Sequence, residues 1–221
     1  MSDASRIHRY PGTEVTVLYE KKRCIHAAAC VRTLPEVFST RAVPWVQPDG
    51  AGREAVLAAV WRCPTGALKA QGEDGALLET MPEENVVTVR SDGPLYVRGQ
   101  VVVVNAAGET LLEDTRLALC RCGASQTKPL CDGSHASHDF VDPGPEGPLT
   151  LRYEPETVTG PGLKITVRPN GSLLCEGKFR LVASDGAPVA EGTKTSFCRC
   201  GHSMKKPLCD GTHAKVGFVA E

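Results

Sequence analysis

Aromatic residues are scarce in this 221-residue chain, at 5%, which leaves few bulky side chains around which a large core could form. Long apolar runs are also missing. Stretches such as Val101–Val104 fall far below the ~20 residues of a membrane-spanning helix, so no membrane association is expected. Neither sign of charge dominates: 25 Lys and Arg stand against 26 Asp and Glu, a net −1. That balance gives no electrostatic reason to expect nucleic acid or an anionic lipid surface as partner. The opening residues hold no apolar segment of the kind that directs export, and Asp3 and Glu14 count against a mitochondrial presequence. A soluble, cytoplasmic protein is the expectation.

What the chain does have is turns and thiols. Gly 22 and Pro 16 punctuate it, and it carries ten Cys. A chain divided into small modules is short of apolar surface in each, and such modules need a metal or a disulfide staple. In a reducing compartment, clustered cysteines are metal ligands or redox groups more often than structural disulfides.

An internal duplication organises the last two thirds. Val87-Thr88-Val89-Arg90 aligns with Ile165-Thr166-Val167-Arg168, and the same ungapped offset carries Gly93 onto Gly171, Gly99 onto Gly177 and Phe140 onto Phe218, with 24 aligned positions identical. Leu95–Val104 and Leu173–Val182 alternate or run apolar and are rich in β-branched residues, so they read as strands. Thr115–Leu119 and Thr193–Phe197 read as short strands leading into cysteines, Leu149–Tyr153 as an extra strand, and Asp142–Pro148 as a Pro/Gly linker. The expected domains are residues 1–80, 81–142 and 143–221.

Each copy ends in one constellation. Cys120, Cys122, Cys131 and His135 in the first, and Cys198, Cys200, Cys209 and His213 in the second, share the spacing C-x-C-x8-C-x3-H. A C-x-C pair leaving a strand end can place both thiolates on one metal, and Cys and His at i and i+4 meet on one face of a helical turn. Asp and Gly between them suit the start of that turn. Three sulfurs and one imidazole make a full set for a tetrahedral zinc or for a two-iron cluster. The longer pattern C-x-C-x2-S-x3-P-x-C-D-G-[ST]-H resembles the signature of the CDGSH iron–sulfur proteins, the mitoNEET family. The resemblance implies a [2Fe–2S] cluster in each copy, with Cys120 and Cys122 on one iron and Cys131 and His135 on the other, repeated by Cys198, Cys200, Cys209 and His213. It also implies a β-rich cap, and two motifs in one chain suggest a homodimer folded into one polypeptide, hence a monomer.

The N-terminal region differs. Cys24-Ile-His26-Ala27-Ala28-Ala29-Cys30 precedes Cys63-Pro64, and Val56, Ala59, Val60 and Cys63 recur at helical spacing over Gly52–Cys63. Val15–Glu20 reads as a strand. The region resembles a divergent single-cluster ferredoxin domain, with Ala27 where the C-x2-C-x2-C pattern has its middle Cys. Cys24, Cys30 and Cys63 could then hold a [3Fe–4S] cluster, or a [4Fe–4S] cluster completed by His26 or water. The alternative is a degraded site whose cysteines are simply buried.

The fold class expected is α+β, mainly β: a ferredoxin-like module followed by an intramolecular pseudo-dimer of two repeats. No nucleophile–base pair or phosphate loop is legible, so no enzyme is expected. Replacing one thiolate by imidazole raises a cluster's potential, and an imidazole ligand can be lost on protonation. A pH-sensitive electron carrier with a redox partner protein is the leading expectation, followed by a donor of whole [2Fe–2S] clusters to an apo acceptor, and then a zinc-stapled interaction module. Arg121 and Arg199, inside each C-x-C, read either as cations offsetting thiolate charge or as exposed salt bridges. Lys128, Lys205 and Lys206 read as solvated charges or as a docking surface for an acidic redox partner.

Overall fold

Strand-forming alternation and a few short helices build two compact units, the first ending at Thr80 and the second beginning at Met81. The structure, a computed structural model, describes residues 7–220.

In the first unit, β1 (Ile7–Tyr10), β2 (Thr16–Glu20) and β3 (Leu68–Gln71) form an antiparallel sheet in that order. Two helices accompany it, α1 (Ala29–Thr33) and α2 (Arg53–Trp61). Helix α2 buries Val56, Ala59 and Val60, which the 3.6-residue period puts on one face. It stops before Cys63, and Pro64, three residues beyond its end, cannot continue the helical ladder. Cys63 therefore leaves the helix rather than riding on it. Val17, Phe38, Val56, Ala59 and Leu68 share one core, and Trp45 meets Tyr19 edge-on at 4.9 Å between ring centroids.

The second unit is a sheet of six strands: β4 (Val86–Val89), β5 (Leu95–Val104), β6 (Thr110–Leu119), β7 (Leu163–Val167), β8 (Leu173–Val182) and β9 (Pro188–Phe197). The pairs β5–β6 and β8–β9 are antiparallel hairpins, and both slip register after Arg98 and Glu176, at the aligned Gly99 and Gly177. At that slip the remaining edge of each long strand changes neighbour. Strand β4 pairs with Leu95–Arg98 of β5 and, in parallel, with Arg180–Val182 of β8. Strand β7 pairs with Leu173–Glu176 of β8 and, in parallel, with Val101–Val104 of β5. Each repeat thus lends its first strand to the other. The inward faces, among them Val87, Leu95, Val97, Leu117, Ile165, Leu173, Phe179 and Phe197, merge into one core, in which Cys175 is wholly buried.

Three expectations need correction. The strands before the cysteines are ten residues long, β6 and β9, because their first halves also ladder onto β5 and β8. Leu149–Tyr153 is no strand; it is tied to β9 by isolated bonds such as Leu149 N–H to the Val189 carbonyl and Thr193 N–H to the Arg152 carbonyl, with a single bridge between Arg152 and Lys194. The Asp142–Pro148 segment is not a free linker, since Asp142 is buried.

Candidate metal centre

Both hairpins end where the thiols begin. Strand β6 runs out at Leu119 and β9 at Phe197, and in each copy the chain loops back to lie beside the strand it has left. Cys120 N–H donates to the Pro129 carbonyl at 2.9 Å and Cys131 N–H to the Ala118 carbonyl at 2.8 Å; Cys198 and Cys209 repeat the pattern on Pro207 and Ser196, each at 2.8 Å. The buried hydroxyls of Ser125 and Ser203 clamp the loops by donating to the Leu130 and Leu208 carbonyls at 2.7 and 2.6 Å. The Lys128 and Lys206 ammonium groups donate to the Ser125 and Ser203 carbonyls. Sequence reasoning missed this tie, although the lysine's recurrence at one aligned position is its signal.

Gly133 and Gly211 take left-handed φ of 93° and 87° and launch a helical turn, Ser134–Ser137 in the first copy and α3 (Thr212–Lys215) in the second. Asp132 Oδ1 accepts from Ser134 N–H and Asp210 Oδ1 from Thr212 N–H, satisfying donors that a helix start leaves open. These turns carry His135 and His213 back over the preceding cysteines.

The result is four donor pairs. Cys120 Sγ lies 3.8 Å from Cys122 Sγ, and Cys198 Sγ 3.7 Å from Cys200 Sγ. Two vertices of a tetrahedron with ~2.3 Å metal–sulfur arms stand ~3.8 Å apart. Cys131 Sγ to His135 Nδ1 and Cys209 Sγ to His213 Nδ1 are both 3.3 Å, close to the ~3.5 Å that a sulfur and a nitrogen ligand span on one tetrahedral metal. Each pair has the bite of one metal. Among the described residues, no three His, Cys, Asp or Glu side chains gather around a single-ion position.

Burial sets the electrostatics. It pushes the Cys131 and Cys200 thiols up to about 11 and lowers the His135 imidazole's pKa, favouring the neutral form a metal needs. Cys122 is held down to about 6, chiefly because Cys120 donates to its sulfur; Ala124 N–H adds a second bond at 3.4 Å. Thiolates this deeply buried require a cation to compensate them. Cys120, Cys131, Cys198 and Cys200 are buried, whereas Cys122 and Cys209, like His135 and His213, are partly exposed.

Arg121 and Arg199 are neither solvated nor surface-paired: each is 1% exposed. Arg121 donates to the Gly93 and Arg90 carbonyls, pairs with the Asp142 carboxylate and lies over the Phe140 ring. Arg199 donates to the Gly171, Arg168 and Ala220 carbonyls and lies over Phe218. Burial lowers both guanidinium pKa values, an effect opposed at Arg121 by Asp142 and Cys198 and at Arg199 by Cys120. Each cation thus feels a thiol of the other repeat. The two C-x-C segments meet directly at a Cys122–Cys200 bridge. A Cβ on Gly123 would stand 2.5 Å from the Cys200 carbonyl oxygen, and one on Gly201 2.5 Å from that of Cys122. Glycine is required at both positions.

In the first unit, Cys24, Cys30 and Cys63 line one cavity of about 30 Å³ together with Tyr19, Trp45, Ala27 and Ala28. Burial, then the neighbouring Cys63 and Cys24, raises the Cys30 pKa. His26 and Ala28 hold left-handed φ of 55° and 57°, in a loop whose turns can aim N–H groups at an anionic cluster. His26 itself is exposed and outside the lining. The structure thus does not bring His26, expected as one alternative for the fourth ligand, to the three thiols.

Comparison with known proteins places this geometry. Residues 92–136 and 170–214 each match the family described as an iron-binding zinc finger of CDGSH type. The chain is 35% identical over 77 residues to the CDGSH iron-sulfur domain-containing protein NEET of Arabidopsis thaliana, covering 33% of this chain and 71% of that protein. The chain belongs to the CDGSH iron–sulfur family.

Membership makes it an iron–sulfur-binding protein. Residues 10–72 of this CDGSH protein match a second family, the divergent 4Fe-4S mono-cluster, so both units carry an iron–sulfur signature. It is also similar to the uncharacterized protein YjdI of Escherichia coli K12, 33% identical over 60 residues, which is 27% of this chain and 79% of that one. To the human CDGSH iron-sulfur domain-containing protein 2 it is 47% identical over 38 residues, 17% of this chain and 28% of that protein. No solved structure matches it. No helix among the described residues is long and apolar enough to cross a membrane.

Proposed function

We propose that this CDGSH protein is an electron carrier holding two [2Fe–2S] clusters, each bound by three Cys and one His. The observation that carries the reading is the grouping of donors into pairs. In each repeat a two-sulfur bite and a sulfur–nitrogen bite suit two irons joined by sulfide, as a two-iron cluster requires. When bound, such a cluster takes up and releases one electron. The chain's own residues hold it, burying Cys120 and Cys131 in the first repeat and Cys198 and Cys200 in the second, and leave the imidazole partly exposed. The exchange of β4 and β7 supports the idea that the tandem repeats form a pseudo-dimer in one chain, monomeric in solution. Domains 1–80, 81–142 and 143–221 follow the same reading. In the first, three thiols round one cavity suit a [3Fe–4S] cluster, or a [4Fe–4S] cluster completed by water.

A second reading, delivery of whole clusters to an apo acceptor, is favoured by the exposure of His135 and His213, since the ligand at the rim is the first to be released in acid. Anaerobically purified protein, assayed for iron, acid-labile sulfide and zinc and by low-temperature EPR, tests the cofactor: four irons mean that both repeats are filled, seven or eight that the first unit is loaded too. A colourless, zinc-loaded protein overturns both readings. Incubation with an apo-ferredoxin separates them: reduction without transfer of iron and sulfide indicates a carrier, and transfer indicates a donor.

A further inference from the structure

The two repeats fold their metal-binding loops alike but charge them differently. In the first repeat, Asp132 Oδ2 accepts from Gln126 N–H at 2.7 Å while Oδ1 accepts from Ser134 N–H at 2.9 Å; in the second, Asp210 Oδ2 accepts from Met204 N–H at 2.8 Å and Oδ1 from Thr212 N–H at 3.0 Å. One aspartate in each copy therefore pins the loop between the cysteines to the turn that carries the histidine, so that these two segments adjoin and together present an exposed face.

On that face the aligned residues diverge. Gln126, Thr127, Ser137 and His138 of the first repeat become Met204, Lys205, Lys215 and Val216 of the second, and all eight are exposed. With the buried Arg121 and Arg199 set aside, residues 120–141 carry Lys128 against Asp132 and Asp139, a net −1, whereas residues 198–219 carry Lys205, Lys206 and Lys215 against Asp210, a net +2. Met204 is 88% exposed and Val216 47%. Exposed apolar side chains accompanied by cations, on the segments that carry the ligands, suit an acidic redox protein: charge complementarity steers the encounter, and apolar contact brings the two centres close.

We infer that the second repeat is the docking face of this chain, and that its partner is an acidic electron-transfer protein which seats over Met204 and Val216 between Lys205 and Lys215. The first repeat, with the same loop geometry and no excess of surface cations, is not the docking face. The inference rests on the electron-carrier reading and names the side of the molecule through which that reading operates.

The test uses the full chain with an acidic plant-type [2Fe–2S] ferredoxin as probe, measuring binding by calorimetry at low and at physiological ionic strength and electron transfer by stopped flow. The Lys205→Glu/Lys215→Glu variant is expected to weaken binding and slow transfer roughly tenfold or more at low salt and to flatten the salt dependence. The mirror variant Thr127→Glu/Ser137→Glu, which adds acid at the aligned positions of the first repeat, is expected to stay within about twofold of wild type. Met204→Gln, which restores the first repeat's residue, should weaken the complex with its salt dependence unchanged. Equal losses in the two charge variants overturn the inference, because binding would then follow net charge alone; so does the absence of any effect, or of any binding. Docking that depends on Lys205 and Lys215 without electron transfer leaves the docking face standing and overturns the carrier reading instead.

Discussion

A buried guanidinium must be met by acceptors on every side, and Arg121 shows which residues supply them. Two carbonyls of the β4–β5 turn and the Asp142 carboxylate surround it, with Phe140 beneath. Removing one member of a buried ion pair strands the other at a cost of about 3–5 kcal/mol. Asp142→Ala should therefore lower the stability of this protein by about 3 kcal/mol, measured as a fall in the urea midpoint at constant slope, whereas Ala220, the aligned residue, has no carboxylate to lose. Asp142 was invisible in the sequence because it opens a run of Pro and Gly that reads as linker; only the fold brings it to Arg121. The ligands, by contrast, were legible, because metal chemistry fixes residue type and spacing locally. His135→Cys or His213→Cys should lower the potential of one centre toward the ~−400 mV of all-thiolate plant-type clusters and slow the loss of visible absorbance between pH 8 and 5. A faster loss contradicts the ligand role.

Segments a few residues long carry the next level of information. The C-x-C-G turns touch back to back, and Gly123 and Gly201 hold left-handed φ of 83° and 84° where a Cβ would overlap a carbonyl of the other repeat. Gly201→Ala should destabilise the second unit by at least about 2 kcal/mol through the positive φ and the overlap together, and reduce iron in both repeats rather than one, as read by metal analysis and thermal denaturation. Strands β5 and β8 could be read in advance from their alternation. Helix α2 could be read from the spacing of Val56, Ala59 and Val60. The outer halves of β6 and β9 could not, because their exposed residues carry no apolar pattern and only the ladder to β5 and β8 defines them. Nor could the placement of His26 outside the thiol cavity, which its sequence neighbours do not dictate.

At the scale of the whole molecule, the duplication was plain in the sequence and the exchange of strands was not. Parallel pairing of β4 with β8 and of β7 with β5 joins residues about ninety and sixty positions apart, and no local periodicity encodes such a register. A fragment of residues 81–148 lacks β7 along half of β5 and β8 beside β4, so it should be unfolded or pair with a second copy of itself, never a folded monomer; light scattering with circular dichroism checks this. Residues 81–221 form a unit of their own and should fold and bind four irons without the first eighty residues, as metal analysis of that fragment would show.

The lending of β4 and β7 also constrains descent. Once two copies had fused and traded strands, deletion of either would strip its twin of a lateral neighbour as well as of a metal site. A descendant gene can let the copies differ in surface charge, as these two do, but it cannot discard one without finding a fresh second chain to stand in for it.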